Sequence, residues 1–124
     1  MAARNGEEMT VELRPGQALK LWHDVSLALV RDGDIDLSSR QMTILLTIYL
    51  EAPPHTVRGL AAKLGVTKPV ITRALDTMGA QNLVTRRRDE ADRRNVVIQR
   101  TVEGALFVER LADLIAQQSR ILPR

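Results

Sequence analysis

Thr56-Val-Arg-Gly-Leu-Ala-Ala-Lys-Leu-Gly65-Val-Thr-Lys-Pro-Val-Ile-Thr-Arg-Ala-Leu-Asp-Thr-Met78 is the stretch on which the fold turns. Thr56 is placed to cap a short helix with its hydroxyl. Leu60, Ala61 and Leu64 share one face of that helix. Gly65 stands where a tight turn needs positive φ, and Val66 plugs the corner. Thr67 is placed to cap the next helix, and Pro69 fits its first turn, where a missing N–H costs nothing. The second helix is expected over residues 68–78. Val70, Ile71, Ala74, Leu75 and Met78 form its buried stripe. Lys68, Pro69, Thr72, Arg73 and Asp76 remain on the other side. This is a helix-turn-helix pattern, and such an outer face suits the major groove of DNA.

A hairpin follows. Leu83–Arg88 and Asn95–Arg100 carry the β-branched content of strands, and Asp89–Arg94 between them is a polar tip with turn-forming aspartates. A helix-turn-helix with such a hairpin is a winged helix. Its wing, residues 86–98, would lie along the DNA backbone or enter the minor groove, which attracts arginine where it is narrow. Charge agrees. Residues 67–100 hold eight basic and four acidic side chains, a net +4, whereas the whole chain is only +3. The positive charge is therefore concentrated on the expected phosphate-facing surface.

Working outward, Gln17–Arg31 reads as a helix with Ala18, Leu21, Trp22, Val25, Ala28 and Leu29 at helical spacing. Leu19, Leu27 and Val30 lie off that stripe, so the helix is apolar on more than one side and calls for a partner, most simply a second copy. Ser38 or Ser39 opens a helix to about Glu51. Met42, Ile44, Leu45, Leu46, Ile48 and Leu50 make it apolar nearly all round, the mark of a central buried helix. Pro53-Pro54 ends it. Thr101 caps a last helix from about Val102 to Ile121, with Leu106, Phe107, Val108, Leu111, Leu114 and Ile115 on a broad apolar face.

Other classes are excluded by what is missing. The chain has 124 residues, no cysteine, and only Trp22, Tyr49 and Phe107 as aromatics. Disulfides and thiol chemistry are ruled out, and there is no stacking platform for single-stranded nucleic acid. No apolar run reaches the roughly 18 residues of a membrane span, and no secretory signal opens the chain. His23 and His55 have no partners at metal-ligand spacing; His23 beside Asp24 reads as a surface pair. The alternating aspartates of Asp32–Asp36 lack the closing glutamate of an EF-hand loop. Neither a catalytic triad order nor a phosphate loop occurs. The expectation is a cytoplasmic, nucleoid-associated protein that is not an enzyme and carries no cofactor or metal.

The sequence resembles the MarR (multiple antibiotic resistance regulator) family of winged helix-turn-helix transcriptional regulators. Leu37-Ser38-Ser39-Arg40-Gln41 with Leu45 resembles the opening of that family's helix before the motif. Leu60-Ala61, Leu64-Gly65-Val66-Thr67, Val70-Ile71-Thr72-Arg73 and Leu75 resemble its helix-turn-helix. Leu83-Val84, Arg86, Asp89 and Asp92-Arg93-Arg94 resemble its strand and wing, and Thr101 with Gly104 the start of its next helix. Gln81-Asn82 replaces a usual Gly, though Asn keeps the left-handed stop. Arg100 replaces a usual Leu, so a core contact is lost or re-aimed. The ends are short for the family.

The resemblance implies a mainly α fold with a small β-hairpin wing (α+β). The expected divisions are an arm (1–16), a dimerisation helix and loop (17–36), a winged helix (37–101) and a C-terminal dimerisation helix (102–124). A homodimer would set two recognition helices on a pseudo-palindromic duplex operator. Thr67, Lys68, Pro69, Thr72, Arg73 and Asp76 would meet bases, while Thr56, Arg58, Arg86 and Arg88 hold phosphates. Arg93 and Arg94 would sit at the wing tip with Asp92 fixing one of them, and the resemblance favours Arg94 at the groove. Leu21, Trp22, Val25, Leu29, Leu106, Phe107, Leu111, Leu114 and Ile115 would form the dimer interface. Family members often answer to a small aromatic effector, for which this sequence offers no support. The rival reading is a winged-helix protein-interaction module whose arginines meet an acidic partner.

Overall fold

The computed structural model describes residues 12–123. Residues 1–11 of the expected arm lie outside the described residues. In chain order the elements are α1 (Pro15–Asp32), α2 (Ser39–Leu50), β1 (His55–Thr56), α3 (Val57–Leu64), α4 (Lys68–Ala80), β2 (Val84–Arg88), β3 (Val96–Arg100) and α5 (Val102–Arg120). They fall into two compact units: Asp34–Asp113, and α1 together with the chain from Leu114 onward.

The larger unit is built on α2. Ser38 caps it by accepting a hydrogen bond from the Gln41 N–H, and the Gln41 side chain returns one from the Ser38 N–H. Ile44, Leu45 and Ile48 are fully buried. They meet Leu60 and Ala61 of α3, Ile71, Ala74, Leu75 and Met78 of α4, and Leu83, Val84 and Ile98 of the sheet region in one core. Each large aliphatic side chain buried this way contributes about 2 kcal/mol. Leu50 departs from the expected all-round burial. It is the last residue of α2 and is 74% exposed.

The helix-turn-helix has the expected hinge. Gly65 adopts φ +69° at the end of α3, where an L side chain would be strained. The Thr56 hydroxyl caps α3, accepting from the Gly59 N–H at 2.9 Å. Thr56→Ala should therefore cost about 1 kcal/mol in urea unfolding, with the same slope. Thr67 is the N-cap of α4, but its hydroxyl makes no capping bond. The reason is local: a cap serves the second or third N–H of a helix. Pro69 has none at the second position, and the Val70 N–H is taken by the Thr67 carbonyl at 3.1 Å. Helix α4 runs to Ala80, two residues beyond the expected end, and Asn82 then turns the chain at φ +62°.

The sheet holds one strand more than the sequence predicts. Its order is β1-β3-β2, all antiparallel, with His55 opposite Ile98 and Thr56 opposite Val97. The two-residue β1 ties the start of α3 to the wing.

In the smaller unit, α1 begins at Pro15, so Pro15 and Gly16 belong to the helix rather than the arm; Pro15 fits the first turn because no helical N–H is needed there. The helix presents two rows. Val25 is buried, with Leu21 and Leu29 half-buried, whereas Leu19, Trp22 and Val30 are 71%, 64% and 77% exposed. Trp22 thus belongs with the outer row. The Gln17 amide donates to the Pro123 carbonyl at 3.0 Å, joining the start of α1 to the end of the chain. His23 and Lys20 both meet Asp24 on the surface.

Candidate nucleic-acid interface

The outer side of α4 is built as the spacing predicts. Lys68, Pro69, Thr72, Arg73 and Asp76 are all exposed, and the opposite side carries Ile71, Ala74, Leu75 and Met78 into the core. Thr67 leads into this face with a hydroxyl not spent on capping. Asp76 has a partner on the wing. It accepts from the Arg86 guanidinium at 2.8 Å, so β2 is braced directly against the exposed side of α4.

Alternation along β2 sorts its arginines. Arg86 pairs across the ladder with Ile98, and Arg88 with Val96. These two therefore share the face that carries buried Ile98, while Arg87 lies on the other. Arg88 donates to the Arg93 carbonyl at 3.0 Å, holding the backbone of the tip. Asp89 accepts from the Ala91 N–H, its own N–H reaches the Asn95 carbonyl, and Asn95 N–H reaches the Asp92 carbonyl. The tip is consequently a defined turn.

Asp92 and Arg94 form a fork at that tip. One carboxylate oxygen accepts from Arg94 Nε at 3.1 Å and from the Arg94 N–H at 3.2 Å; the other accepts from Arg94 Nη2 at 3.2 Å. This two-point contact fixes the plane of the guanidinium, yet the Arg94 side chain stays 86% exposed. Arg94's guanidinium, and then its backbone N–H, hold the Asp92 carboxyl below the usual carboxylate value, with Arg58 of α3 adding attraction. A depressed value means the fork is fully formed above the ordinary carboxylate range and is lost only as pH falls through the lowered value. Titrating the Asp92 carboxyl carbon by NMR should give a midpoint below that of a free aspartate, and Arg94→Ala should return it upward. The influence of Arg58 also places the first turn of α3 within electrostatic reach of the tip.

The base of the wing is held by a polar knot. The Tyr49 hydroxyl donates to the Leu83 carbonyl at 2.7 Å and accepts from the Thr101 N–H at 3.0 Å. The Thr101 hydroxyl donates to the Asn82 carbonyl and accepts from the Gly104 N–H, capping α5. Thus α2, the end of α4, β3 and the start of α5 meet at Tyr49 and Thr101.

Comparison with known proteins now bears on this assembly. The family model described as MarR family matches residues 37–96, which takes in α2, α3, α4 and the wing to the start of β3. The chain belongs to the MarR family. This MarR-family chain is 32% identical over 80 residues to the organic hydroperoxide resistance transcriptional regulator of Bacillus subtilis (strain 168). The match covers 64% of the chain and 54% of the relative, so the chain spans about half the length of that curated protein. A transcriptional regulator from Thermotoga maritima superposes with TM-score 0.62 at 25% identity, over 83% of this chain and 67% of that one. A transcriptional repressor, CouR, solved bound to a 23-mer DNA duplex, superposes with TM-score 0.67 at 22% identity, over 89% and 83%. The last shares the fold: a mostly helical protein with a small antiparallel sheet.

Two residues of this MarR-family chain matter more than their sequence suggests. Tyr49 reads as one more core aromatic, but its hydroxyl joins three elements. Arg100, a departure from the family pattern, re-aims its contact rather than losing it. It shares its strand face with Val96 and Ile98 and reaches back to α2. The alternation of β3 was the available signal. Of the residues expected at a two-fold interface, Val25 and Leu111 already spend their surface inside the single chain. Leu21, Leu29, Phe107 and Leu114 are half-buried, while Trp22, Leu106 and Ile115 are exposed. No helix among the described residues is long and apolar enough to cross a membrane.

Proposed function

We propose that this chain is a DNA-binding transcriptional regulator that works as a homodimer. Helix α4 enters the major groove of duplex DNA, and the wing reaches the minor groove or backbone beside it. The observation that carries this reading is the bracing of the wing against the exposed side of α4 through Arg86 and Asp76. Next to that brace, a fixed but exposed Arg94 stands at the tip.

Thr67, Lys68, Pro69, Thr72 and Arg73 approach base edges, with Asp76 orienting Arg86. Thr56, Arg58, Arg86 and Arg88 lie along phosphates. Arg94 is the groove contact, Asp92 its holder, and Arg93 a flanking charge. Family membership supports regulation rather than catalysis, a pseudo-palindromic operator and a cytoplasmic, nucleoid-associated site of action. The exposed row of Leu19, Trp22 and Val30 on α1, with Leu106 and Ile115 on α5, supports the second copy. Residues 17–36 and 102–124 then flank a DNA-binding part at 37–101.

The test is Arg94→Ala against a preferred genomic duplex fragment. Affinity should fall roughly tenfold, and the slope of log K against log salt should flatten by about one for each wing. Unchanged affinity and slope would remove the wing from the mechanism. Binding to acidic proteins with no response to DNA would favour an interaction module instead.

A further inference from the structure

Helix α2 ends without a cation of its own in its last turn. The carbonyls of a final turn have no partners inside the helix, and they carry the negative end of its dipole. The chain supplies a cation from far along the sequence. Arg100 Nε donates to the Ile48 carbonyl at 2.8 Å, and Arg100 Nη2 donates to the Glu51 carbonyl, also at 2.8 Å. The guanidinium lies 5.8 Å from the centre of the Tyr49 ring. His55 Nε2 meets the same Glu51 carbonyl at 3.1 Å.

Arg100 is also the last residue of β3, opposite Val84 at the first rung of the hairpin, and the next residue is Thr101 of the polar knot. One side chain therefore joins the root of the wing to the end of the central helix by two directed bonds. A planar fork contacting two carbonyls sets direction as well as distance, which a single ammonium or an apolar side chain cannot do.

We propose that Arg100 is a positioning residue for DNA binding: it sets the angle at which the wing leaves the body, and so whether Arg94 reaches the duplex. It touches no DNA itself. The proposal rests on the wing contact argued above, and the experiment separates the two.

The experiment is a double-mutant cycle on the full chain, titrated with a preferred duplex fragment. Arg94→Ala is measured in the wild-type, Arg100→Leu and Arg100→Lys backgrounds. Amide hydrogen exchange is followed across residues 84–100 and across α4. In wild type, Arg94→Ala should cost roughly tenfold; with Arg100→Leu in place it should cost less than about twofold, because the wing is already misdirected. Arg100→Lys, which keeps the charge but loses the fork, should give an intermediate coupling and serves if the leucine variant does not fold. Exchange should quicken in the wing while Ile71–Met78 keep their protection. An equal cost of Arg94→Ala in every background, or exchange that quickens uniformly, would overturn the proposal and leave Arg100 a general stabiliser. No cost of Arg94→Ala in wild type would overturn the wing contact, and this role with it.

Discussion

Gly104→Ala should lower unfolding stability by about 3 kcal/mol or leave the larger unit unable to fold. The cause is crowding, since Gly104 is buried in the first turn of α5 with ordinary helical neighbours. A methyl group built there collides with the Tyr49 hydroxyl and the Leu83 carbonyl. Those are the two atoms that form the short bond of the polar knot. The intruding carbon must push out one partner, and either movement frees a polar group in a half-buried place. Tyr49→Phe in the same chain should restore part of the loss, because it removes the first obstacle. It should not restore all, because the Leu83 carbonyl remains. Urea unfolding of the two single variants and the double variant measures this directly, and simple additivity would show that the crowding is not at Tyr49.

Arg73→Ala should weaken DNA binding by roughly a hundredfold while leaving the melting temperature nearly unchanged. Arg73 is exposed on the second turn of α4, and no ion pair with a described residue is recorded for it. Deleting its side chain therefore leaves the fold's hydrogen bonds in place. An arginine that forks onto a base edge is worth about 1–3 kcal/mol, and a two-fold complex loses the contact twice. The sequence preference should relax along with affinity, which separates base reading from phosphate contact. A uniform loss over all fragments, with a flatter salt slope, would instead make Arg73 a backbone ligand. Fluorescence titration over a small fragment set distinguishes the outcomes.

The helix-turn-helix was legible because its constraints are local. Gly65 must take positive φ, Thr56 has a donor three residues on, and the buried stripe of α4 repeats at helical spacing. What escaped was set by contacts across long separations. Strand β1 has only two residues, too few to show alternation, and exists because His55 and Thr56 meet β3. Arg100 was read as a lost apolar contact, because sequence spacing does not reveal that its strand ends beside the last carbonyls of α2. The Thr67 cap failed for a reason visible in the sequence: Pro69 removes one N–H that it would serve. In the candidate interface, the residue types and their exposure on α4 were legible. The pairing of Asp76 with Arg86 was not, since it depends on how the hairpin folds back. The apolar excess of α1 was plain, but which row faces outward was decided by packing, so Trp22 and Val25 part company.

One measurement bears most directly on duplex binding by α4 and the wing. Labelled genomic duplexes are titrated with the full chain at about 50 and about 200 mM salt, and the bound fragments are selected and sequenced. The expected result is enrichment of a fragment with two-fold symmetry, its half-sites about one helical turn apart, with affinity falling roughly 10³- to 10⁵-fold between the two salts if six to ten phosphates are held. Equal retention of every fragment, or binding indifferent to salt, would contradict it.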